Sequence, residues 1–169
     1  MNLKHQERIN IHHKEKISID KIPLTMFISI IYRQQLLFLN KSLENEGIHA
    51  GQCPFILYLH YKGEAYQDEM SRYYKIDKGS VARSIRKLEE LKLINKEIDE
   101  NNRRKCILSL TDSGKEVAKK IKEIDRKWES IIFEKIDIEE SKLREILSLI
   151  TDVSIETYKE LKEGGNNGD

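Results

Sequence analysis

Ile76-Asp77-Lys78-Gly79-Ser80-Val81-Ala82-Arg83-Ser84-Ile85-Arg86-Lys87-Leu88-Glu89 is the stretch on whose reading the fold turns. Val81, Ile85 and Leu88, with Leu91 just beyond, recur at steps of four and three, which places them in one apolar stripe along an α-helix. The opposite side carries Lys78, Ser80, Arg83, Ser84, Arg86 and Lys87. Asp77 stands where a carboxylate can accept from the free amides of the first turn, so the helix is expected to start there. One face anchors the helix to its own domain, and the other is free for an anionic partner.

Beyond Leu93-Ile94 the period changes. The stretches from Ile94 to Ile98 and from Lys105 to Leu110 alternate apolar with polar residues, and between them lies the turn-prone Asp99-Glu100-Asn101-Asn102-Arg103-Arg104. That pattern predicts a β-hairpin. Before the basic helix, the spacing predicts a short helix over about Gln67 to Tyr74. An earlier one runs over about Gln52 to Tyr61, with Phe55, Ile56 and Leu59 as core candidates. Short helix, tight turn, capped basic helix and basic-tipped hairpin follow one another in the order of a winged helix-turn-helix. A major groove admits one α-helix and is read best by side chains near its N-terminus. Lys78, Ser80, Arg83, Ser84 and Lys87 lie there. Arg103 or Arg104 at the hairpin could enter a narrow minor groove, where negative potential is enhanced.

Longer helices flank this unit. From Pro23 an apolar stretch (Phe27, Ile30, Ile31, Leu36, Leu37, Leu39, Leu43) is hydrophobic around much of its circumference, and Gly47 stops the pattern. Such a helix needs burial on several sides, which in a small protein points to a partner subunit. Thr111 is expected to cap a long helix carrying Val117, Ile121, Ile124, Trp128, Ile131 and Ile132. A last helix over about Glu139 to Leu161 repeats Leu143, Leu147, Ile150, Val153, Tyr158 and Leu161.

The 169 residues carry 30 Lys+Arg against 29 Asp+Glu, for a net charge of +1, so the chain is not a generally basic nucleic-acid coat. Charge is unevenly placed, however. From Lys78 to Lys105 nine basic residues face five acidic ones, a local net of +4 that leaves −3 for the rest. A basic patch on a neutral protein is the footprint of a site-specific phosphate binder. Cys53 and Cys106 form no disulfide framework and no paired spacing, and both read as inert. The charged N-terminus does not read as a signal peptide, and no apolar run is long enough to span a membrane. A cytoplasmic protein is expected. His5, His12, His13, His49 and His60 show no ligand spacing, so neither a metal nor a cofactor is expected. There is no phosphate loop, nucleophile elbow or HExxH helix, so no catalytic residue is assigned and an enzyme is not expected.

The run from Ile76 to Glu89 continues into Leu93-Ile94, the segment Asp99 to Arg104, and Leu108-Ser109-Leu110-Thr111-Asp112-Ser113-Gly114. Together these resemble the MarR family of winged helix-turn-helix transcriptional regulators. Gly51-Gln52-Cys53-Pro54-Phe55-Ile56-Leu57 is similar to the family's second helix, and the resemblance spans about residues 22–160. It implies that Asp77 and Lys78 open the recognition helix, that Arg83 faces DNA and that Arg103 enters the minor groove. Two positions depart from the pattern. Asn102 replaces the aspartate that usually precedes the wing arginine, which leaves Arg103 less firmly tethered. Lys92 stands where a glycine is common, at a small cost if the position needs a positive φ.

The fold class expected is thus mainly α with a small β-hairpin wing, a winged helix-turn-helix flanked by long dimerisation helices. Residues 1–20 read as a flexible arm, 21–50 and 112–161 as a helical dimerisation region, 51–111 as the DNA-binding domain and 162–169 as a disordered tail. The resemblance implies a homodimer of the first, fifth and sixth helices, acting as a repressor on double-stranded DNA with an inverted repeat. It also implies a cleft between dimerisation helices and DNA-binding lobe for a small phenolic or aromatic-acid effector. Arg33 beside Tyr32 could pair there with a carboxylate, although the residues alone favour a structural or solvent-facing arginine. Tyr58 and His60 are further cleft candidates. The rival reading is a winged-helix protein-interaction module without specific DNA binding.

Overall fold

Pro23, with φ −59° and ψ 139°, leads into the first helix, α1 (Leu24–Ser42), and its ring presets the dihedral that a helix start requires. The computed structural model describes residues 19–164, except for the side chains of Arg104 and Glu163. Most of the expected N-terminal arm and residues 165–169 of the expected tail therefore lie outside the described residues. Of the arm, Ile19–Lys21 form a 3-10 turn. After α1, two 3-10 turns (Glu44–Glu46 and Ala50–Gln52) flank Gly47, which takes a left-handed φ of 67°. The Asn40 side-chain oxygen accepts from the Ala50 amide at 2.7 Å and fixes that corner.

Then follow α2 (Cys53–Lys62), β1 (Glu64–Tyr66), α3 (Gln67–Tyr74) and α4 (Lys78–Glu90). The wing strands β2 (Ile94–Asp99) and β3 (Asn102–Leu110) lead to α5 (Asp112–Lys135) and α6 (Glu140–Gly164). The sheet is antiparallel in the order β1-β3-β2, with Ala65 opposite Leu108 and Lys96 opposite the same residue from the other side. Thr111 closes the join to α5 in both directions. Its hydroxyl donates to the Lys92 carbonyl at 2.8 Å, and its oxygen accepts from the Gly114 amide at 3.0 Å.

The chain divides into two units, one through Ile124 and one from Asp125. The first holds the core. Phe55, Ile56 and Leu59 of α2, Met70 of α3, Val81, Ile85 and Leu88 of α4, Leu108 of β3 and Ile121 of α5 are all buried, as is Leu43 after α1. The expected stripe of α4 thus faces inward, with Leu91 partly buried at its end. In the second unit no residue from 125 to 162 is buried. Arg144 there pairs with Glu129 at 2.9 Å and with Glu140 at 2.6 Å. Among the described residues, no helix is long and apolar enough to cross a membrane.

Three expectations are corrected. β1 was not foreseen, because three residues are too few to show a period. The wing loop was drawn too long: only Glu100 and Asn101 turn, and Asn102, Arg103 and Arg104 already belong to β3. The cause is Asp99, whose carboxylate accepts from the Asn101 amide at 2.8 Å and folds the chain back at once. The tail was expected from residue 162, yet α6 runs on to Gly164.

Candidate nucleic-acid interface

α4 begins where its chemistry says it should. Asp77 has extended dihedrals (φ −60°, ψ 145°) and its carboxylate accepts from the Ser80 amide at 2.8 Å. The Ser80 hydroxyl and then its amide hold the Asp77 carboxyl below its ordinary range, so the cap stays ionised at neutral pH. Ser80 also receives the Arg83 guanidinium, Nη2 to Oγ at 2.7 Å. The arginine is therefore laid along the first turn before any ligand arrives. Gly79 leaves room for this: a Cβ there would sit 3.5 Å from Arg83 Nη1 and 3.2 Å from the Asp77 carboxylate.

Lys78, Arg83, Arg86 and Lys87 are exposed, and Ser80 and Ser84 are half-buried. They surround the outward side of the helix that buries Val81, Ile85 and Leu88. Lys78 reaches Asp68 of α3 at 3.3 Å and Lys87 reaches Glu90 at 3.7 Å. Both pairs are exposed and weak. Lys75 makes the turn between α3 and α4 with a left-handed φ of 54°. Lys92, after α4, takes φ 56°, the positive value that its glycine-favouring position requires.

In the wing Arg103 is exposed, and the side chain of Arg104 lies outside the described residues. Sequence reasoning missed the groups that hold the wing turn. Asp99 is only 6% exposed, and the Tyr66 hydroxyl donates to it at 2.7 Å from 33 residues away. That hydrogen bond first, then the Asn101 amide, lowers the Asp99 carboxyl below its usual range, while the same bond raises Tyr66. Glu69 accepts from the Tyr66 amide at 3.0 Å and pairs with Lys62 at 2.8 Å, which lowers its own carboxyl. The one sequence signal was Glu69 itself, placed three residues after the chain enters α3, as in half of a capping box.

The effector candidates are dispersed by role. Tyr32 and Arg33 are exposed on α1. The Tyr58 ring centroid lies 5.1 Å from that of Tyr73, tilted to it, and 6.0 Å from that of Tyr74, edge-on, so it belongs to an aromatic cluster. Tyr74 in that cluster donates to the Pro54 carbonyl at 2.8 Å, and burial pushes its hydroxyl up to about 12. His60 lies 3.5 Å from Lys122 Nζ. Two shallow clefts, of about 240 Å³ beside Tyr66, Lys96 and Lys105 and of about 490 Å³ beside Arg126 and Phe133, contain none of the four. Cys53 is buried and Cys106 half-buried, and neither is joined in a disulfide. No metal-binding cluster occurs among the described residues.

A capped basic helix set on a small core with a hairpin beside it defines the class: this is a winged helix-turn-helix protein. The family described as a winged helix DNA-binding domain matches residues 56–114. The HTH-type transcriptional regulator BilQ of Clostridium symbiosum is 29% identical over 117 residues, covering 69% of this chain and 81% of that protein. A MarR transcriptional regulator from Methanosarcina mazei Go1 superposes with a TM-score of 0.74 at 30% identity, covering 79% of this chain and 96% of its own. A crystal structure of MarR gives 0.72, again at 30% identity, covering 85% and 96%. The chain belongs to the MarR family. It is a transcriptional regulator and not an enzyme.

Proposed function

We propose that the protein acts in the cytoplasm as a homodimeric repressor of a pseudo-palindromic operator. The observation that carries this reading is α4 itself. A capped helix has its apolar stripe buried and Lys78, Arg83 and Lys87 on the open side, with Ser80 and Ser84 beside them. These residues would read the major groove, and Arg103 and Arg104 would enter the adjacent minor groove. Residues 51–111 form the DNA-binding domain in this reading, and residues 21–50 and 112–161 form the dimerisation region. Exposed apolar side chains on both sides of the chain support it: Ile30, Ile31 and Leu37 on α1, and Leu147, Val153 and Leu161 on α6. A two-fold dimer would set its recognition helices about one DNA turn, roughly 34 Å, apart.

A small phenolic or aromatic acid would release the DNA by binding one dimer geometry better than the other, with Arg33, Tyr32, Tyr58 and His60 as its contacts. The deciding experiment is binding of the purified protein to its own upstream DNA and to scrambled DNA at two salt concentrations. Sequence-selective binding whose logarithm falls with log salt, by a slope of about −0.9 per neutralised phosphate, supports the regulator. Arg83→Ala should then weaken specific binding by about 1–3 kcal/mol. Indifference to sequence at both salts would transfer the role of this surface to a protein partner.

A further inference from the structure

The wing of this protein lacks the carboxylate expected just before its arginine, since residue 102 is asparagine. A different carboxylate stands three positions earlier and is built into the fold. Asp99 ends β2, is almost fully buried, and accepts from the Asn101 amide at 2.8 Å and from the Asn102 amide as well. It therefore fixes the backbone of the two residues that lead into Arg103. Asp99 is itself held from outside the hairpin by the Tyr66 hydroxyl at 2.7 Å. Tyr66 is the last residue of β1 and stands directly before α3, where Glu69 accepts from its amide at 3.0 Å. Lys105 lies 4.9 Å over the Tyr66 ring and covers it from the wing side. A hydrogen-bonded chain thus runs from the start of α3, through Tyr66 and Asp99, to the backbone before Arg103.

Every alternative use of these groups is weaker. A buried carboxylate needs a partner, but an amide pair in a tight turn already supplies one without the tyrosine. The additional hydroxyl ties the turn to the helix-turn-helix and not merely to the hairpin. Its geometric consequence is that the wing arginine and the helix pair move as one piece. A preorganised arginine loses less freedom when it binds.

We propose that Tyr66 is a positioning residue which, through Asp99, sets the wing turn so that Arg103 meets DNA in register with α4. The proposal rests on the DNA-binding reading above, and its test separates the two. The probe is a duplex recovered by the wild-type protein from a random-sequence pool, with affinity and thermal midpoint measured for each variant. Tyr66→Phe removes one hydroxyl and should lose roughly three- to tenfold in affinity, the scale of one hydrogen bond, while the fold persists. Arg103→Ala should weaken binding in the wild type but add little in the Tyr66→Phe background, because the unpositioned arginine no longer contributes. Arg83→Ala should give the same fold-loss in both backgrounds. Asp99→Asn keeps an oxygen for the Asn101 amide and can donate to the tyrosine oxygen, so it should retain most of the affinity. Asp99→Ala should reproduce the coupling from the acceptor side, which keeps the test available if one variant folds poorly.

Losses from Tyr66→Phe and Arg103→Ala that simply multiply, with Arg83→Ala still damaging, would overturn the positioning role and leave the DNA-binding reading standing. Failure to recover any duplex, or indifference to both Arg83→Ala and Arg103→Ala, would overturn both.

Discussion

α4 and α6 are both amphipathic, and they differ in what their apolar faces meet. In α4, Val81, Ile85 and Leu88 are no more than 1% exposed, in a core that α3, β2 and the 3-10 turn Ala50–Gln52 help to close. In α6, Leu147, Val153 and Leu161 are 52%, 59% and 72% exposed. The same sequence device serves two ends. The winged unit completes its core from its own chain, whereas α6 carries an apolar stripe that its own unit leaves in water. Contiguous exposed apolar surface of this kind marks an association site. The polar faces differ in the same sense, since that of α4 is mainly basic whereas α6 carries six acids against four basic residues.

The sharpest way to break the comparison is to put one charge on each stripe. Leu88→Glu buries a carboxylate in the closed core at a cost on the order of 5 kcal/mol. That is comparable with the whole stability of a small domain, so loss of the helical circular dichroism signal is expected. Leu147→Glu should leave that signal largely intact and instead weaken the proposed dimer, each protomer forfeiting the burial of a leucine, ~1.5–3 kcal/mol. Under the proposed homodimer, sedimentation should show a smaller mass for the variant than for the wild type. If Leu147→Glu keeps the wild-type mass, the exposed stripe of α6 is not a self-association face.

Gly114 tests the winged unit at its tightest join. A Cβ there would land on the Leu93 carbonyl oxygen, a backbone atom that cannot turn aside. Gly114→Ala is expected to cost roughly 3 kcal/mol or more, read as a drop in the thermal midpoint. A midpoint within two or three degrees of wild type would mean that the hairpin-to-α5 join is slack.

Smaller in effect is the cap of α4. Asp77→Ala should cost ~0.5–2 kcal/mol and free Ser80 and Arg83 from their preset arrangement. The Asp77 carboxyl is lowered in the folded chain, so its contribution is present at neutral pH. It is lost only as pH falls from the ordinary carboxylate value of about 4 through the depressed one. The wild type and Asp77→Ala should therefore converge in stability in acid, and a gap that stays constant with pH would remove the carboxylate from the cap.

How much of this was legible in the sequence divides along the same line. α3 falls on Gln67–Tyr74 as the spacing predicts, and Asp77 and Thr111 cap the helices they precede, because caps and stripes act within a few residues. The placement of Arg103 in β3 was not legible, since it depends on how soon the Asp99 carboxylate closes the turn on the Asn101 amide, which no period reports. β1 escaped because, among the described residues, its strand partner is β3, remote in sequence. Periodicity reports which face of a helix is apolar. It is silent on whether that face closes on its own chain or on another.

Lys92 offers the finest cut. Its φ of 56° places a Cβ in the left-handed region, at a cost of ~1–2 kcal/mol relative to a relaxed residue. The backbone must take this shape, because the Lys92 amide donates to the Glu89 carbonyl at 2.9 Å and the Lys92 carbonyl receives the Thr111 hydroxyl at 2.8 Å. Lys92→Gly removes the strain but gives the unfolded chain more freedom, which offsets ~0.5–1 kcal/mol of the gain. A net stabilisation of a few tenths to about 1 kcal/mol follows. It should raise the thermal midpoint of the winged unit without altering the mass of the assembly, because the residue belongs to the closed region. A lower midpoint would show that chain entropy outweighs the strain, and that the lysine is the better choice at this turn.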